Sequence, residues 1–292
     1  MTLFTHSLNL VTLQTLQINS VAIVVFDCRH DLANAAWGRE QYIASHIAGA
    51  HFAHLDTDLS GAMTGHNGRH PLPERATFIA WLAAHGVTPH TQIICYDQLD
   101  GTFAARLWWL CRWAGIASVA VLAGGFAGWV AAQGQTASTA TPLPAPAKPW
   151  NLPALERVLR SSDIELNLFK SKSESTFQLV DARAPERFRG DNEPLDRAAG
   201  HIPGAINHFF KRNVLPTGEF APDLRAQWLA VLGGQAPTEL AHSCGSGVTA
   251  CHNVLALHVA GFLQPHEASQ VYAGSWSEWC SDPARPVAKG IA

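Results

Sequence analysis

The sequence predicts an α/β protein made of two tandem copies of one domain, each copy a parallel sheet flanked by helices. Three observations carry this. Short β-branched runs alternate with longer apolar stretches of helical spacing, the pattern of strands buried on both faces by crossover helices. The same landmarks recur in the same order on either side of a proline-rich stretch. The chain has 292 residues, the length of two ordinary domains rather than one.

In the first copy, residues 10–18 mix Leu, Val and Ile with Thr and Gln and read as a short helix or strand leading in. Residues 21–26 form a continuous apolar run ending at Asp27, the signature of a buried parallel strand. Residues 39–47 read as helical and run into His46-Ile47-Ala48-Gly49-Ala50. Residues 56–70 are polar and glycine-bearing, a surface loop. A helix is expected over 72–85, closed by Gly86, and a second strand over 92–96, ending at Asp97. An apolar helix over 103–114 stops at Gly115, a third strand covers 119–122, and Gly124 to Trp129 follows. Between 135 and 153, five prolines alternate with Ala and Thr, as in an extended linker.

The second copy repeats the first. Val180-Asp181-Ala182-Arg183 echoes Phe26-Asp27-Cys28-Arg29, and Gly200 to Ala205 echoes Ser45 to Ala50. Residues 239–244 echo 92–97, the helix ending at Gly261 echoes that ending at Gly115, and Gly274-Ser275-Trp276-Ser277-Glu278-Trp279 echoes the Gly124 segment. The expected boundaries are 1–136 for the first domain, 137–157 for the linker and 158–292 for the second domain.

Composition excludes several classes of function. Hydrophobic residues make up 47% and charged residues 15%, which suits a packed core and not a disordered chain. A net charge of −3 with no basic run argues against nucleic acid as a partner. The 15 histidines are scattered, and neither a zinc-type His/Glu spacing nor C-x-x-C occurs, so no metal and no cofactor are expected. The six cysteines form no spaced framework and read as reduced thiols. The N-terminal residues lack the pattern of a secretory signal and no 18-residue apolar run occurs, so the expectation is a cytoplasmic protein with no membrane partner.

The chemistry concentrates at residues 242–250, His-Ser-Cys-Gly-Ser-Gly-Val-Thr-Ala. Cys244 falls between a strand end and a helix expected over 249–260. Gly245 and Gly247 allow successive N–H groups to turn inward as an anion-binding nest, and the helix start adds partial positive charge. Both favour the thiolate, the form that attacks. A merely packed cysteine needs neither feature. Asp97 stands at the corresponding position of the first copy and cannot carry sulfur covalently. The second copy is therefore expected to be catalytic and the first inactive. Cys251, two helical turns beyond Cys244, reads as a packed helix cysteine.

The paired D-x-R and G-H-I-P-G-A segments, the C-x-x-G-V-T-A loop and the late G-S-W-x-E-W segment resemble the rhodanese family over nearly the whole chain. The form Cys-Gly-Ser-Gly-Val-Thr-Ala resembles the mercaptopyruvate-using branch, whereas the thiosulfate branch has basic residues directly after the cysteine. The resemblance implies two rhodanese domains and a sulfur transfer from 3-mercaptopyruvate through a Cys244 persulfide. The acceptor would be a thiol, thioredoxin or a smaller one, or cyanide. It implies that Arg187 grips the substrate, with the residues of the cysteine loop, Gly245, Gly247, Val248 and Thr249, around it. A second substrate arginine is expected nine residues later; that position holds Asp196, and the adjacent Arg197 is taken as its replacement. Asp56 and His70 match the acid and the histidine that act with the loop serine, here Ser246.

Two other readings of the same residues stay open: a thiosulfate:cyanide sulfurtransferase, and a carrier that holds a persulfide without turnover. A cysteine phosphatase would need an arginine six residues after the cysteine, where Ala250 stands.

Overall fold

The computed structural model describes residues 4–10, 12–14, 22–170 and 174–291. The chain forms two units, one of residues 1–61, 73–155 and 214–220, the other of residues 62–72, 156–213 and 221–292.

In the first unit the strands are β1 (Ser7–Leu8), β2 (Ile23–Asp27), β3 (His46–Ile47), β4 (His51–Phe52), β5 (Gln92–Tyr96), β6 (Val119–Leu122) and β7 (Thr136–Ala137). Five of them build a parallel sheet in the order β1-β6-β5-β2-β4. In the second unit β8 (Arg157–Leu159), β9 (Gln178–Asp181), β10 (Ile206–Asn207), β11 (Leu240–Ser243) and β12 (Gln270–Tyr272) pair in parallel in the order β10-β9-β11-β12-β8. Read from the opposite edge, the two orders coincide strand for strand. The repeat in the sequence is thus a repeat of topology.

Helices Trp37–Ala44, Arg75–Ala84, Ala104–Trp113 and Gly125–Ala131 flank the first sheet. Ser161–Leu168, Pro185–Arg189, Leu224–Leu232, Thr249–Val259 and Ser275–Trp279 accompany the second. The central strands have no solvent face: β5, β6 and β11 are buried at every residue. This is why they read as unbroken apolar runs and not as alternating ones. Ala104–Trp113 is buried around nearly its whole circumference, Arg106 and Arg112 included. Among the described residues, no helix is long and apolar enough to cross a membrane.

The structure differs from the sequence reading in several places. The lead-in is helical at Leu10 and at residues 12–14, while residue 11 and residues 15–18 lie outside the described residues. The sequence offered no sign of β1, a two-residue edge strand beside β6. The helix expected from residue 72 starts at Arg75, after Pro73. The loop over 56–70 is not all surface, since Leu59, Ser60 and His70 are buried. The proline-rich stretch is not a free spacer. Ala137 is already in β7, which pairs antiparallel with β3, and Arg157 opens β8. Between them the chain is tied to the first unit: Ala147 N–H donates to the Ala83 carbonyl, Leu155 N–H to Arg112, and Arg75 Nη2 donates to the Leu152 carbonyl at 2.6 Å.

The sequence divides the chain once, at that stretch. The structural units also exchange two segments. Residues 62–72 belong with the second unit and residues 214–220 with the first. The first exchange matters for chemistry, because it carries Arg69 and His70 into the unit that holds Cys244.

Candidate active site

Cys244 follows the last residue of β11, where Ser243 pairs with Asp181 of β9. The central position in the sheet places it at the carboxyl end of the strands, the usual site for ligands in open α/β sheets. From Cys244 the chain turns directly into the helix Thr249–Val259. The turn folds back on the sulfur. Ser246 N–H donates to Cys244 Sγ at 3.4 Å and Gly247 N–H at 3.1 Å. Gly247 has φ +80°, and a Cβ there would lie 2.2 Å from the Ala273 carbonyl oxygen, so only glycine fits. Val248 stands at the helix N-cap and Thr249 opens the helix, whose partial positive end faces the loop.

A second segment latches the loop from outside. Cys244 N–H donates to Ser275 Oγ at 3.0 Å, and Ser275 Oγ donates on to the Tyr272 carbonyl. Trp276 N–H and Ser277 N–H donate to the carbonyls of Cys244 and Gly245. Ser275 adopts φ 53°, a left-handed conformation uncommon outside glycine. The G-S-W-x-E-W segment therefore acts as a clamp on the cysteine loop.

Two arginines meet the loop at Gly245. A side chain at 245 would come within 2.9 Å of Arg69 Nη2 and 3.4 Å of Arg187 Nη1. Arg187 was expected there. Arg69 was not, because it lies in the loop read as surface; its one signal in the sequence is that it precedes His70. Both guanidiniums are held by carboxylates. Asp196 accepts from Arg69 Nε at 3.0 Å and Nη2 at 3.1 Å, and from Arg187 Nη2 at 3.2 Å. Glu193 accepts from Arg187 Nη2 at 2.8 Å and Nε at 3.2 Å, and from Arg183 Nη1 at 3.3 Å. Burial alone would raise the Glu193 carboxyl, but Arg187 and the N–H groups of Leu195 and Asp196 outweigh it and hold it below its ordinary value. Arg183 forks onto Asp181 and stacks over Trp276. Burial works against its charge, yet Asp181, Glu193 and Cys244 together push its pKa up. Arg197 is exposed and lines a cavity of about 180 Å³ with Met63, Arg69, Asp196, Ser277 and Cys280.

His70 and Ser246 are brought together: Nδ1 lies 2.7 Å from Oγ, and both residues are buried. Asp56 belongs to the first unit, where it is exposed. There its carboxylate and one ring nitrogen each of His30 and His54 lie within 4.8 Å of one another. Both nitrogens of His54 are already engaged, Nδ1 by the Asp56 N–H and Nε2 at the Ala35 carbonyl. That use conflicts with metal ligation, which needs one of them.

Asp97, the counterpart of Cys244, follows β5 at the same point of the first sheet. Its carboxylate fills the loop around it. Oδ1 accepts from the N–H groups of Leu99 and Gly101, Oδ2 from those of Phe103 and Ala104. The latch is repeated too, with Phe126 N–H donating to the Asp97 carbonyl at 2.8 Å and Ala127 N–H to that of Gln98.

All six cysteines are free and buried. Burial pushes the thiols of Cys28, Cys95, Cys111 and Cys280 up, which keeps them inert. Cys251 donates its thiol proton to the Gly247 carbonyl at 3.2 Å and so supports the loop from below.

Comparison with known proteins agrees with this architecture. The model of the rhodanese-like domain matches twice, over residues 12–132 and 165–282. A probable 3-mercaptopyruvate sulfurtransferase of Pseudomonas aeruginosa is 41% identical, across 97% of this chain and 99% of its own. A putative thiosulfate sulfurtransferase of Mycobacterium tuberculosis is 36% identical across 87% of both chains. Among solved structures, 3-mercaptopyruvate sulfurtransferase from Leishmania major superposes with a TM-score of 0.75 at 30% identity, covering 88% of this chain and 70% of its own.

Proposed function

The chain belongs to the rhodanese family, and we propose that it is a 3-mercaptopyruvate sulfurtransferase working through a persulfide on Cys244. The observation that carries the reading is the loop itself: a sulfur receiving two backbone N–H groups, with Arg187 and Arg69 at the adjacent Gly245. Sulfurtransferase activity is common to the relatives' names; the donor is the finer step.

Mercaptopyruvate is a monoanion with a carboxylate beside a carbonyl. Guanidinium groups bind such a carboxylate through paired hydrogen bonds. The Cys244 thiolate attacks the substrate sulfur, the new S–S bond forms, and the C–S bond breaks with its electron pair passing into pyruvate enolate. The enolate takes a proton from Ser246 Oγ, which is resupplied through its hydrogen bond to His70. The loop N–H groups stabilise the charge on sulfur. A thiolate acceptor, thioredoxin or a small thiol, or cyanide, then attacks the outer sulfur and regenerates the Cys244 thiolate.

Steady-state kinetics with the two donors side by side test the choice. The kcat/KM for mercaptopyruvate is expected to exceed that for thiosulfate by at least about tenfold, roughly 1.4 kcal/mol of transition-state preference. A better efficiency with thiosulfate would select the alternative reading, thiosulfate:cyanide sulfurtransferase. Persulfide loading without multiple turnover of either donor would select a carrier.

The proton route is tested separately. His70→Ala is expected to lower kcat with mercaptopyruvate by about 10²–10⁴, the usual range for a general acid–base group. Thiosulfate, whose cleavage releases sulfite and needs no carbon protonated, is expected to lose far less. An equal loss with both donors would make His70 a structural residue of the loop.

A further inference from the structure

The position that the resemblance reserves for a second substrate arginine holds a carboxylate, and that carboxylate sits between two arginines. Asp196 Oδ1 accepts from Arg69 Nε, while Oδ2 accepts from Arg69 Nη2 and Arg187 Nη2, all at 3.0–3.2 Å. The Asp196 side chain is 4% exposed and that of Glu193, which takes the rest of the Arg187 fork, is 2% exposed. Both Arg187 Nη atoms lie near Gly245, at 3.4 and 3.5 Å from where a side chain there would start, and Nη1 takes no part in these bonds. Arg187 thus spends one edge on internal carboxylates and keeps Nη1 for the loop, while Arg69 turns Nη2 both to Asp196 and toward Gly245.

Two consequences follow from the charge count. Arg69, Arg187 and Arg183 contribute three positive charges, and Asp196, Glu193 and Asp181 three negative ones, linked within hydrogen-bond distance. The arginines keep their directional N–H donors while their net field on an incoming anion is largely cancelled. A donor recognised by hydrogen-bond geometry, such as a carboxylate, loses little by this. A donor drawn in by charge, above all a compact dianion, loses much more, because Coulomb attraction scales with the product of the charges.

We propose that Asp196 is a specificity-determining positioning residue: it clamps Arg69 and Arg187 beside the cysteine loop and sets the site to accept singly rather than doubly charged sulfur donors. This rests on the sulfurtransferase reading above. It gives that reading a cause outside the loop, whose own residues 245–249 carry no charge at all.

The test is the charge dependence of anion recognition in Asp196→Asn, which keeps the shape and removes the charge, and Asp196→Glu, which keeps the charge. With Asp196→Asn the ratio of thiosulfate to mercaptopyruvate kcat/KM is expected to rise at least about tenfold, chiefly through a lower KM for thiosulfate. Asp196→Glu is expected to stay near the wild-type ratio. A readout free of turnover is the protection of Cys244 from iodoacetamide by sulfate, a dianion, and by pyruvate, a monoanion. In Asp196→Asn, sulfate is expected to protect at about tenfold lower concentration, with pyruvate shifted less than threefold. If Asp196→Asn does not fold, Glu193→Gln removes the neighbouring charge and is expected to move the same ratios in the same direction. Unchanged ratios, or an Asp196→Glu protein that behaves like Asp196→Asn, would overturn the proposal. Failure of the sulfurtransferase reading is distinguishable, because then no donor adds sulfur to Cys244 while the sulfate and pyruvate protections still report the charge effect.

Discussion

Cys244→Ser is expected to lose more than about a thousandfold of transfer activity, because a hydroxyl cannot carry a transferable sulfur and nucleophile removals cost that much or more. Thermal stability is expected to stay close to wild type. The Ser246 and Gly247 N–H groups that now donate to sulfur find an acceptor in a serine oxygen, so the loop keeps its bonds. Mass spectrometry of the wild-type protein after donor treatment should show one added sulfur on the peptide that contains Cys244. The other thiols lack the setting: Cys28, Cys95 and Cys111 are fully enclosed, Cys251 is committed to the Gly247 carbonyl, and burial and the Asp196 charge push the Cys280 thiol up. Added sulfur on Cys251 in place of Cys244 would remove the nucleophile assignment.

Arg187→Ala is expected to damage both binding and stability. The loss of a charge-assisted fork costs about 1.5–3 kcal/mol, so kcat/KM should fall roughly 10- to 150-fold for either donor. The same change leaves Glu193 with Arg183 as its remaining cation and Asp196 with Arg69. Removing one partner of a fully buried pair costs about 3–5 kcal/mol; with second partners in place and Arg187 18% exposed, about 2 kcal/mol is expected by denaturant titration. Arg187→Lys should recover part of the stability and little of the affinity, since an ammonium cannot serve two carboxylates and a substrate through a planar fork. A variant with wild-type KM values would take Arg187 out of the binding site.

Much of this was legible in the chain. The strands Gln92–Tyr96 and Val119–Leu122 were readable to the residue, because a strand buried on both faces leaves an unbroken apolar run between turn signals. The cysteine loop was readable because glycines between a strand and a helix restrict what the backbone there can do. Other features left no local trace. Strands of two residues, such as Ser7–Leu8 and His46–Ile47, are too short for any period. Arg69 looked like one more charge in a polar loop, and only the crossing of residues 62–72 into the second unit gives it a role. The sequence shows no cation directly after Cys244, and from that alone the loop reads as relying on backbone dipoles. The structure adds two guanidiniums from elsewhere and two carboxylates that offset them. Pairwise neutralisation across a fold is invisible to any reading along it.

The carboxylate of Asp97 has a consequence for the durability of the protein. The first unit keeps the same sheet order, the same latch and a cradle of inward N–H groups, and an unoccupied cradle of that kind would bind whatever small anion was present. Here the anion is covalently part of the chain, and four N–H groups hold it. It can neither diffuse away nor be oxidised, whereas a thiolate in such a setting climbs readily to sulfenic and sulfinic acids. Nor is one substitution enough to make the two loops alike. The N–H donors at Asp97 come from as far along as Phe103 and Ala104, while those at Cys244 come from the second and third residues after it. A single sulfur at 97 could not serve four donors spread over two oxygens, and some of them would be left buried without an acceptor. Of the two equivalent loops, one thus carries an oxidisable thiol at its strand end and the other a carboxylate that its own N–H groups hold in place.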